Sequence, residues 1–137
     1  MAIDRKTVEE ALKRFIDAEN QRPNLTVEET IQGINAHRDP NIETWVNGVY
    51  QPDLETSHQM ERLLYSKAAD YHGDIFMQVI DPPYVAFNWV ARGTIDGEKG
   101  EAFGCTIFEV TEEGKMRRAW AYLDQNQTLF TLLAPKK

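Results

Sequence analysis

In the first half of the chain, the apolar positions recur with the 3.6-residue period of an α-helix. The first apolar stripe consists of Val8, Ala11, Leu12, Phe15 and Ile16. These positions share one face of a helix because they are spaced three, four, seven and eight residues from its start. The pattern predicts a helix over residues 4–20, which ends before Pro23.

Three segments have the spacing of a capping box, in which a Thr side chain and a Glu or Gln three residues later satisfy the amides of a first helical turn. They are residues 7–10 and 26–29, which end in Glu, and residues 56–59, which end in Gln. The second is followed by a short stripe that dissolves at residues 35–40, and the third by a stripe that ends near Asp70. The sequence therefore predicts three helices in the first 70 residues.

The second half of the chain alternates between apolar and other side chains with a period of two, which is typical of strands. One further strand is predicted between the second and third helices. The predicted strands cover residues 42–48, 75–80, 84–95, 101–111 and 115–124. The last four form an antiparallel meander, and strands this long coil strongly. We expect a bent sheet with the helices packed in its concavity, and an apolar pocket where the helices leave one end uncovered.

Length and composition fit one globular domain over residues 1–137, with residues 135–137 as a short tail. The net charge of −7 is spread over both halves, so no basic region favours nucleic acid as a partner. Cys105 is the single cysteine, and we expect it to be a buried small apolar residue with no disulfide. The charged N-terminus and the lack of long apolar runs predict a soluble cytoplasmic protein without membrane contact.

The last predicted strand carries the strongest candidate for chemistry. Arg118, Trp120, Tyr122 and Asp124 alternate along it and therefore share one face. If that face looks into the pocket, aromatic walls would raise the pKa of the Asp124 carboxyl and suit it to proton transfer. In the alternative interpretation, Asp124 is a solvated strand-end residue that prepares the following turn. The alternation alone does not decide which face points inward.

The three histidines do not predict a metal site. His37, His58 and His72 are separated by 21 and 14 residues and form no closely spaced ligand pair. We therefore expect no metal and no organic cofactor.

Several segments resemble the SnoaL-like polyketide cyclase group of the nuclear transport factor 2-like superfamily. They are residues 69–72, 85–94 and 114–117 and the pair Trp120 and Asp124, and the resemblance covers roughly residues 4–133. It implies a cone-shaped α+β fold, in which a curved antiparallel sheet wraps around N-terminal helices, and a homodimer formed through the outer face of the sheet. It also implies an aspartate late in the last strand as general acid/base in an aldol-type ring closure, and Asp124 matches that position.

The resemblance leads to a functional hypothesis: acid/base chemistry next to a carbonyl of a hydrophobic or cyclic small molecule, without a cofactor. Asp124 and Tyr122 are the predicted catalytic residues. The predicted substrate-binding residues are Trp45, Asn47, Trp89, Arg118 and Trp120. Arg118 departs from the group, which usually has an acidic residue there, and it would hold an anionic substrate group or pair with a neighbouring carboxylate. The alternative function is a non-catalytic ligand-binding or dimeric interaction module.

Overall fold

A computed structural model describes residues 2–134 as four helices and one six-stranded sheet. The helices are α1 (Arg5–Glu19), α2 (Val27–Asn35), α3 (Glu55–Lys67) and α4 (Thr128–Leu133). The strands are β1 (Arg38–Val46), β2 (Val49–Gln51), β3 (His72–Asp81), β4 (Tyr84–Ile95), β5 (Glu98–Val110) and β6 (Met116–Leu123). The predicted tail at residues 135–137 lies outside the described residues. Within the described part of the chain, no helix is long and apolar enough to cross a membrane.

The first two helices confirm the sequence prediction. Asp4 is the N-cap of α1, and its carboxylate accepts a hydrogen bond from the Thr7 backbone N–H at 2.8 Å. The cap is thus Asp4 and not Thr7. In α2 the predicted capping box is present, because Thr26 and Glu29 satisfy each other's backbone amides at 3.1 and 3.0 Å.

The third helix differs from its prediction at both ends. The capping box at residues 56–59 does not form, because Asp53 caps the first turn instead by accepting from the backbone N–H of Glu55 at 3.1 Å. The helix ends at Lys67, three residues before the predicted end near Asp70. Asp70 instead accepts hydrogen bonds from the backbone and hydroxyl of Thr94.

The sheet has the strand order β2-β1-β6-β5-β4-β3 and is not closed. Strands β3 to β6 form the predicted antiparallel meander, and β4 has the predicted bounds. Strand β1 joins this meander by pairing parallel to β6. Strand β2 and helix α4 were not predicted, because a strand of three residues and a helix of six are too short to show a period.

The register decides which face of the sheet points toward the helices. Val85, Phe108 and Ala119 lie side by side on β4, β5 and β6, and all three are buried. They form one core cluster with Leu12 and Phe15 of α1. The concave inner face therefore carries the odd-numbered residues of β4, the even-numbered residues of β5 and the odd-numbered residues of β6 beyond its bulge.

The opposite, outer face carries a continuous apolar row across five strands. We call this set the outer row: Trp45, Trp120, Ile107, Ala86 and Val79. Cys105 lies on the same face, where it is half-buried instead of fully buried as predicted. No helix of the described chain covers this face, because all helical core residues pack on the inner one.

Candidate functional site

A cavity of about 220 Å³ lies between the helices and the inner face of the sheet. Helices α1, α3 and α4 form one side, and β3, β4 and β5 form the other. The lining residues are Phe15, Ile16, Glu19, Leu64, Tyr71, Gly73, Asp74, Phe87, Trp89, Ala91, Thr106, Phe108, Leu129 and Phe130. Most of these side chains are aromatic or aliphatic, so the cavity suits an apolar ligand.

Trp89 forms a fixed wall of this cavity. Its ring lies over Gly104 on the neighbouring strand, where a Cβ atom would overlap the ring. Its indole N–H donates a hydrogen bond to Thr106 Oγ1 at 2.9 Å. The absence of a side chain at Gly104 and this hydrogen bond together hold the ring in place, so the wall is preorganised for a ligand.

The C-terminal end of α1 is tied to the start of β3. Asn20 donates from Nδ2 to the Gly73 carbonyl at 2.8 Å and accepts from the Gly73 N–H at 2.8 Å. Tyr71 packs edge-on against Tyr65, with ring centroids 5.4 Å apart. These contacts fix Tyr71, Gly73 and the last turn of α1 around the cavity.

Glu19, the last residue of α1, brings a carboxyl group into this apolar surrounding. Burial raises its pKa to about 7, because desolvation disfavours the charged form; Arg38 lowers the pKa and Glu61 raises it. Among residues 2–134, no side chain or amide donates a hydrogen bond to this carboxylate. A carboxyl group that titrates near neutral pH and has no partner is suited to exchange a proton with a ligand.

Two residues with hydroxyl groups, Tyr71 and Thr106, line the same cavity. Burial, together with the nearby charge of Glu19, raises the pKa of Tyr71, so its phenol stays protonated at neutral pH. Thr106 Oγ1 accepts from Trp89 and keeps its own proton free to donate. Tyr71 and Thr106 are therefore hydrogen-bond donors available to a polar atom of a ligand.

A buried ion pair lies beside Glu19. Arg38 Nη2 is 2.5 Å from Glu61 Oε1, and both side chains are about seven-eighths buried, with 12% and 15% exposed. Arg38 Nη1 also donates to Asn35 Oδ1 at 2.7 Å, and His58 Nε2 contacts the same oxygen at 3.1 Å. The second carboxylate oxygen of Glu61 is buried without a hydrogen-bond partner.

Of the predicted site residues, Trp89 alone lines the cavity. Asp124 is exposed, and its Oδ1 accepts from the Asn126 backbone N–H at 2.8 Å, which is the strand-end turn of the alternative interpretation. Tyr122 is 47% exposed on the outer face. The sequence left open which face of β6 points inward, and the structure makes the face of Tyr122 the outer one, because Ala119 on the other face packs into the core.

The predicted residues of β1 and the turn after it also lie outside the cavity. Trp45 and Trp120 stack on each other on the outer face, with centroids 5.3 Å apart and ring planes 10° apart. Asn47 lies in the β1–β2 turn at a φ of 50°. Its side-chain Nδ2 donates to the Leu123 carbonyl at 2.9 Å, and its Oδ1 accepts from the Leu123 backbone N–H at 2.9 Å. These three residues have structural contacts and do not line the cavity.

Arg118 follows the second of its two predicted alternatives. It pairs with Glu109 at 2.9 Å and with Glu43 at 3.2 Å, all on the outer face. The hydrogen bonds that Arg118 donates, first to Glu109 and then to Glu43, raise the pKa of its guanidinium. Arg118 therefore neutralises two carboxylates and is not placed to hold a substrate in the cavity.

The sequence reasoning missed Glu19, although the sequence contains a signal for it. Glu19 follows Val8, Leu12 and Phe15 at helical spacings of eleven, seven and four residues, so it continues the apolar stripe of α1. A charged residue on an apolar face is either at the edge of the core or in a cavity. Glu19 belongs to the second case because the tapering sheet leaves space at this end of α1.

In residues 2–134, no group of three or more His, Cys, Asp or Glu side chains is arranged to hold a metal ion. His72 contacts Asp74 at 3.1 Å near the cavity. His37 is elsewhere, and burial lowers its pKa, with Arg14 and Lys115 adding to the effect.

Comparison with known proteins identifies the fold. No protein-family model matches the sequence, and no curated protein matches it in sequence. Solved structures match over nearly the whole chain. AclR from Streptomyces galilaeus, described as a provisionally assigned hydroxylase, has a TM-score of 0.78 and 12% identity, and the match covers 94% of this chain and 97% of AclR.

Two further structures carry family names. A provisionally assigned SnoaL-like polyketide cyclase from Jannaschia sp. CCS1 has a TM-score of 0.71 and 11% identity, with 96% of this chain and 94% of that chain covered. An NTF2-like protein of unknown function from Exiguobacterium sp. 255-15 has a TM-score of 0.67 and 18% identity, with 85% and 99% covered. The SnoaL-like resemblance and the predicted NTF2-like α+β fold are thus confirmed at the level of fold.

Proposed function

We propose that this protein binds a hydrophobic or cyclic small molecule in the inner cavity and that Glu19 performs general acid/base chemistry next to a carbonyl of that molecule. The proposal depends on one observation: the Glu19 carboxyl lies in an aromatic-lined cavity with its pKa raised to about 7. It keeps the class of chemistry that the sequence suggested and moves it from Asp124 to Glu19. No cofactor is required for this reaction.

The reaction begins with a ligand whose α-carbon lies against Glu19. The ionised carboxylate removes a proton from this carbon, the C–H electron pair forms the enolate double bond, and the carbonyl oxygen becomes negative. If the enolate is conjugated, returning the proton from Glu19 to its γ-carbon gives an isomerisation. If the enolate carbon instead attacks a second carbonyl, a C–C bond closes the ring and the oxygen of that carbonyl takes the proton from Glu19. A base with a pKa near neutral is effective in both directions, because both its forms are populated.

The negative oxygen of the enolate needs hydrogen-bond donors that are already in place. Tyr71 is one candidate, since burial keeps its phenol protonated. Thr106 is the other, since its oxygen already accepts from Trp89 and its proton is free. Both line the cavity together with Glu19. A ligand can therefore place its α-carbon against Glu19 and its carbonyl oxygen against one of these two donors.

The size of the cavity limits the ligand. An engineered apolar cavity of about 150 Å³ holds benzene, so the volume of about 220 Å³ here fits a substituted single ring or a compact bicyclic ketone. The test is therefore a panel of such ketones in D₂O, with exchange of the α-hydrogens followed by NMR. We expect Glu19→Gln to lower the exchange rate by about 10²-fold or more, as for loss of a general base.

The matched control is Glu10→Gln, which changes an exposed carboxylate nine residues from Glu19 and therefore on the opposite face of α1. It should exchange at the wild-type rate. Binding is followed separately by the chemical shift of the Thr106 methyl group, so loss of chemistry is distinguished from loss of the ligand. Equal exchange by wild type and Glu19→Gln would overturn the catalytic role.

The second candidate function is a non-catalytic ligand-binding module. It is supported by the cavity walls, which are mostly apolar and would hold a ligand by contact. The same experiment separates the two functions. A binder would show ligand-dependent shifts at Thr106 in both wild type and Glu19→Gln, with no catalysed exchange in either.

We also propose that two copies associate through the outer face of the sheet. The outer row is flanked by exposed Met77, Tyr84, Phe103 and Tyr122, and apolar patches of this kind mark interaction surfaces. Beside the outer row, Arg118 neutralises Glu43 and Glu109 within the chain, which reduces the repulsion that a second copy would meet there. The resemblance to a fold that commonly dimerises here indicates a second copy as the occupant.

This association is tested by sedimentation equilibrium. Val79→Glu places a charge in the outer row at a position that is 65% exposed, so the fold of one chain should tolerate it. Met60→Glu is the matched control, because Met60 is 50% exposed on α3, away from the sheet. A wild-type dimer that Val79→Glu dissociates and Met60→Glu does not would support the proposal; a monomeric wild type would overturn it.

A further inference from the structure

The buried Arg38–Glu61 pair lies close to the cavity but does not line it. Arg38 lies over the Phe15 ring, with its guanidinium carbon 5.8 Å from the centroid. Phe15 and Glu19 are one turn apart on α1, so they occupy the same face of the helix. Glu61 is similarly placed on α3, three residues before the cavity-lining Leu64. The pair is thus in contact with α1 at Phe15 and about one turn from Leu64 on α3, and both of these residues line the cavity.

The pair is poorly explained by stability alone. Taking both charges out of water costs more than their attraction usually returns, unless every polar atom is satisfied. Here Arg38 makes hydrogen bonds to Glu61 and Asn35, but Glu61 Oε2 is buried without a partner. A pair that is buried and incompletely satisfied next to a titrating carboxyl calls for a functional explanation.

We propose that Arg38 and Glu61 are positioning residues: Glu61 holds the Arg38 charge, so that Arg38 does not lock the cavity residue Glu19 in its carboxylate form. The inference rests on the proposed function, since it concerns the regulation of the same carboxyl group. Arg38 favours the carboxylate form of Glu19, and Glu61 favours the neutral acid. Because the two opposite charges are bound to each other, their effects on Glu19 largely cancel, and desolvation by the cavity decides its titration.

The other ionisable groups around Glu19 are less suited to influence its protonation than the Arg38–Glu61 pair. Tyr65 of α3 and Tyr71 of the following loop are phenols that stay neutral, because burial raises the pKa of each. Asp74 of β3 lines the cavity but is exposed and contacts His72. Strands β4 and β5 and helix α4 contribute no ionisable side chain to the described cavity wall. His58 contacts Asn35, which also accepts from Arg38, and it is one turn before Glu61 on α3.

The charges can be removed separately. In Glu61→Gln, the Arg38 charge remains beside Glu19 without its counter-ion, so the titration midpoint of Glu19 should fall by about 1 pH unit or more. In the double variant Arg38→Met/Glu61→Gln, neither charge is present, and the midpoint should return to within about half a unit of wild type. The single and the double variant should give different midpoints because, in the native protein, the effect of one charge on Glu19 cancels that of the other.

The measurement is a pH titration of the ¹³C chemical shift of the Glu19 carboxyl in the free protein. Glu28→Gln is the matched control, because it breaks the exposed Arg62–Glu28 pair and should leave the midpoint unchanged. A purely structural role for the pair would leave the midpoint unmoved in all folded variants. If Arg38→Met prevents folding of the double variant, Arg38→Gln/Glu61→Gln replaces it, since this pair of amides is also uncharged.

The result overturns the inference if Glu61→Gln leaves the Glu19 midpoint in place or raises it, or if the double variant keeps the full downward shift. The titration needs no substrate, so it is independent of the proposed function. A midpoint that moves as expected without any catalysed exchange contradicts only the proposed chemistry. Catalysed exchange through Glu19 with an unmoved midpoint contradicts only the role of Arg38 and Glu61.

Discussion

The two faces of the sheet are both rich in aromatic residues, but they have different chemistry. On the inner face, Phe87, Trp89 and Phe108 surround a cavity that the helices close. On the outer face, Trp45 and Trp120 stack with no helix above them, and charged Arg118 is paired beside them. Aromatic content alone therefore does not locate the candidate site; the decisive property is which face the helices cover.

The difference also explains how a carboxyl group comes to titrate near neutral pH. Asp124 is exposed on a strand end, where water and a backbone amide stabilise its charge. Glu19 comes from a helix and is enclosed by the inner face, where desolvation raises its pKa to about 7. The same chemical group has two environments because helices cover only the concave face.

The largest expected contrast concerns the packing of the two faces. Phe108 is 5% exposed and contacts Phe15 and Phe87, with ring centroids 5.0 and 5.3 Å apart. Phe108→Ala should lower the free energy of unfolding by about 3–5 kcal/mol, as for other buried Phe residues. Phe103→Ala, at a position 48% exposed on the outer face, should cost less than about 1 kcal/mol.

Urea denaturation at low protein concentration measures both variants. Equal losses would contradict the assignment of the two faces. If the outer face is covered by a second copy, the cost of Phe103→Ala should grow with protein concentration, whereas that of Phe108→Ala should not.

The second prediction uses the pH dependence of stability. The pKa of Glu19 is about 7 in the folded chain, against an ordinary value of 4.5. The folded state therefore holds this proton more tightly, so its contribution to stability is complete below pH 4.5 and is lost as the pH rises to about 7. The loss amounts to at most about 3 kcal/mol.

Glu19→Gln cannot ionise, so its unfolding free energy should lack this decline between pH 4.5 and 7. Asp124→Asn serves as the comparison on the outer side and should keep the decline. Chemical denaturation at a series of pH values provides the measurement. If the unfolding free energy of Glu19→Gln still declines over this pH range, a group other than Glu19 titrates there.

Much of the fold was predictable from the sequence because local signals carry it. The period of the apolar residues located α1 and all the long strands, and turn residues such as Gly97 and Gly114 separated the strands at φ values of 80° and 79°. The errors lie where a distant or competing contact decides. Asp53 displaces the predicted cap of α3, and β2 is a strand only because it pairs with β1.

The site was predictable to a lesser degree, for a physical reason. Alternation shows that Trp120 and Tyr122 share a face, but only the docking of the helices makes that face the outer one. Trp89 was predicted as a wall residue together with Trp45 and Trp120, and it alone of the three lines the cavity because its face of β4 points toward the helices. Glu19 was missed because a single acidic residue at a helix end is usually solvated, and its enclosure depends on Tyr71 and the strands beyond.

The third prediction tests how firmly the inner wall is fixed. Gly104→Ala would place a methyl group against the Trp89 ring, which would have to move and lose its hydrogen bond to Thr106. The expected cost is about 1–3 kcal/mol, together with weaker ligand binding. Gly33→Ala is the control: a Cβ there meets nothing within 4 Å, and a helical Ala should stabilise the protein by about 0.5–1 kcal/mol.

Thermal and chemical unfolding give the signs of the two Gly→Ala changes. If Gly104→Ala lowers the free energy of unfolding and Gly33→Ala raises it, contact with the inner wall, and not the number of glycines, decides the effect of a Gly→Ala change. If Gly104→Ala is neutral, then Trp89 adapts easily and the wall is not preorganised.

The smallest expected effect is that of Asp124→Asn. Asn accepts the same hydrogen bond from the Asn126 N–H and supports the same turn, so stability should change by no more than about 0.5 kcal/mol. Ligand binding and α-hydrogen exchange should also be unchanged, because the side chain is exposed outside the cavity. Measured beside Glu19→Gln with the same ketones, this variant is the sharpest test of the two-face comparison. Loss of exchange in Asp124→Asn but not in Glu19→Gln would return the chemistry to the end of β6, since nothing in the inner cavity depends on the charge of Asp124.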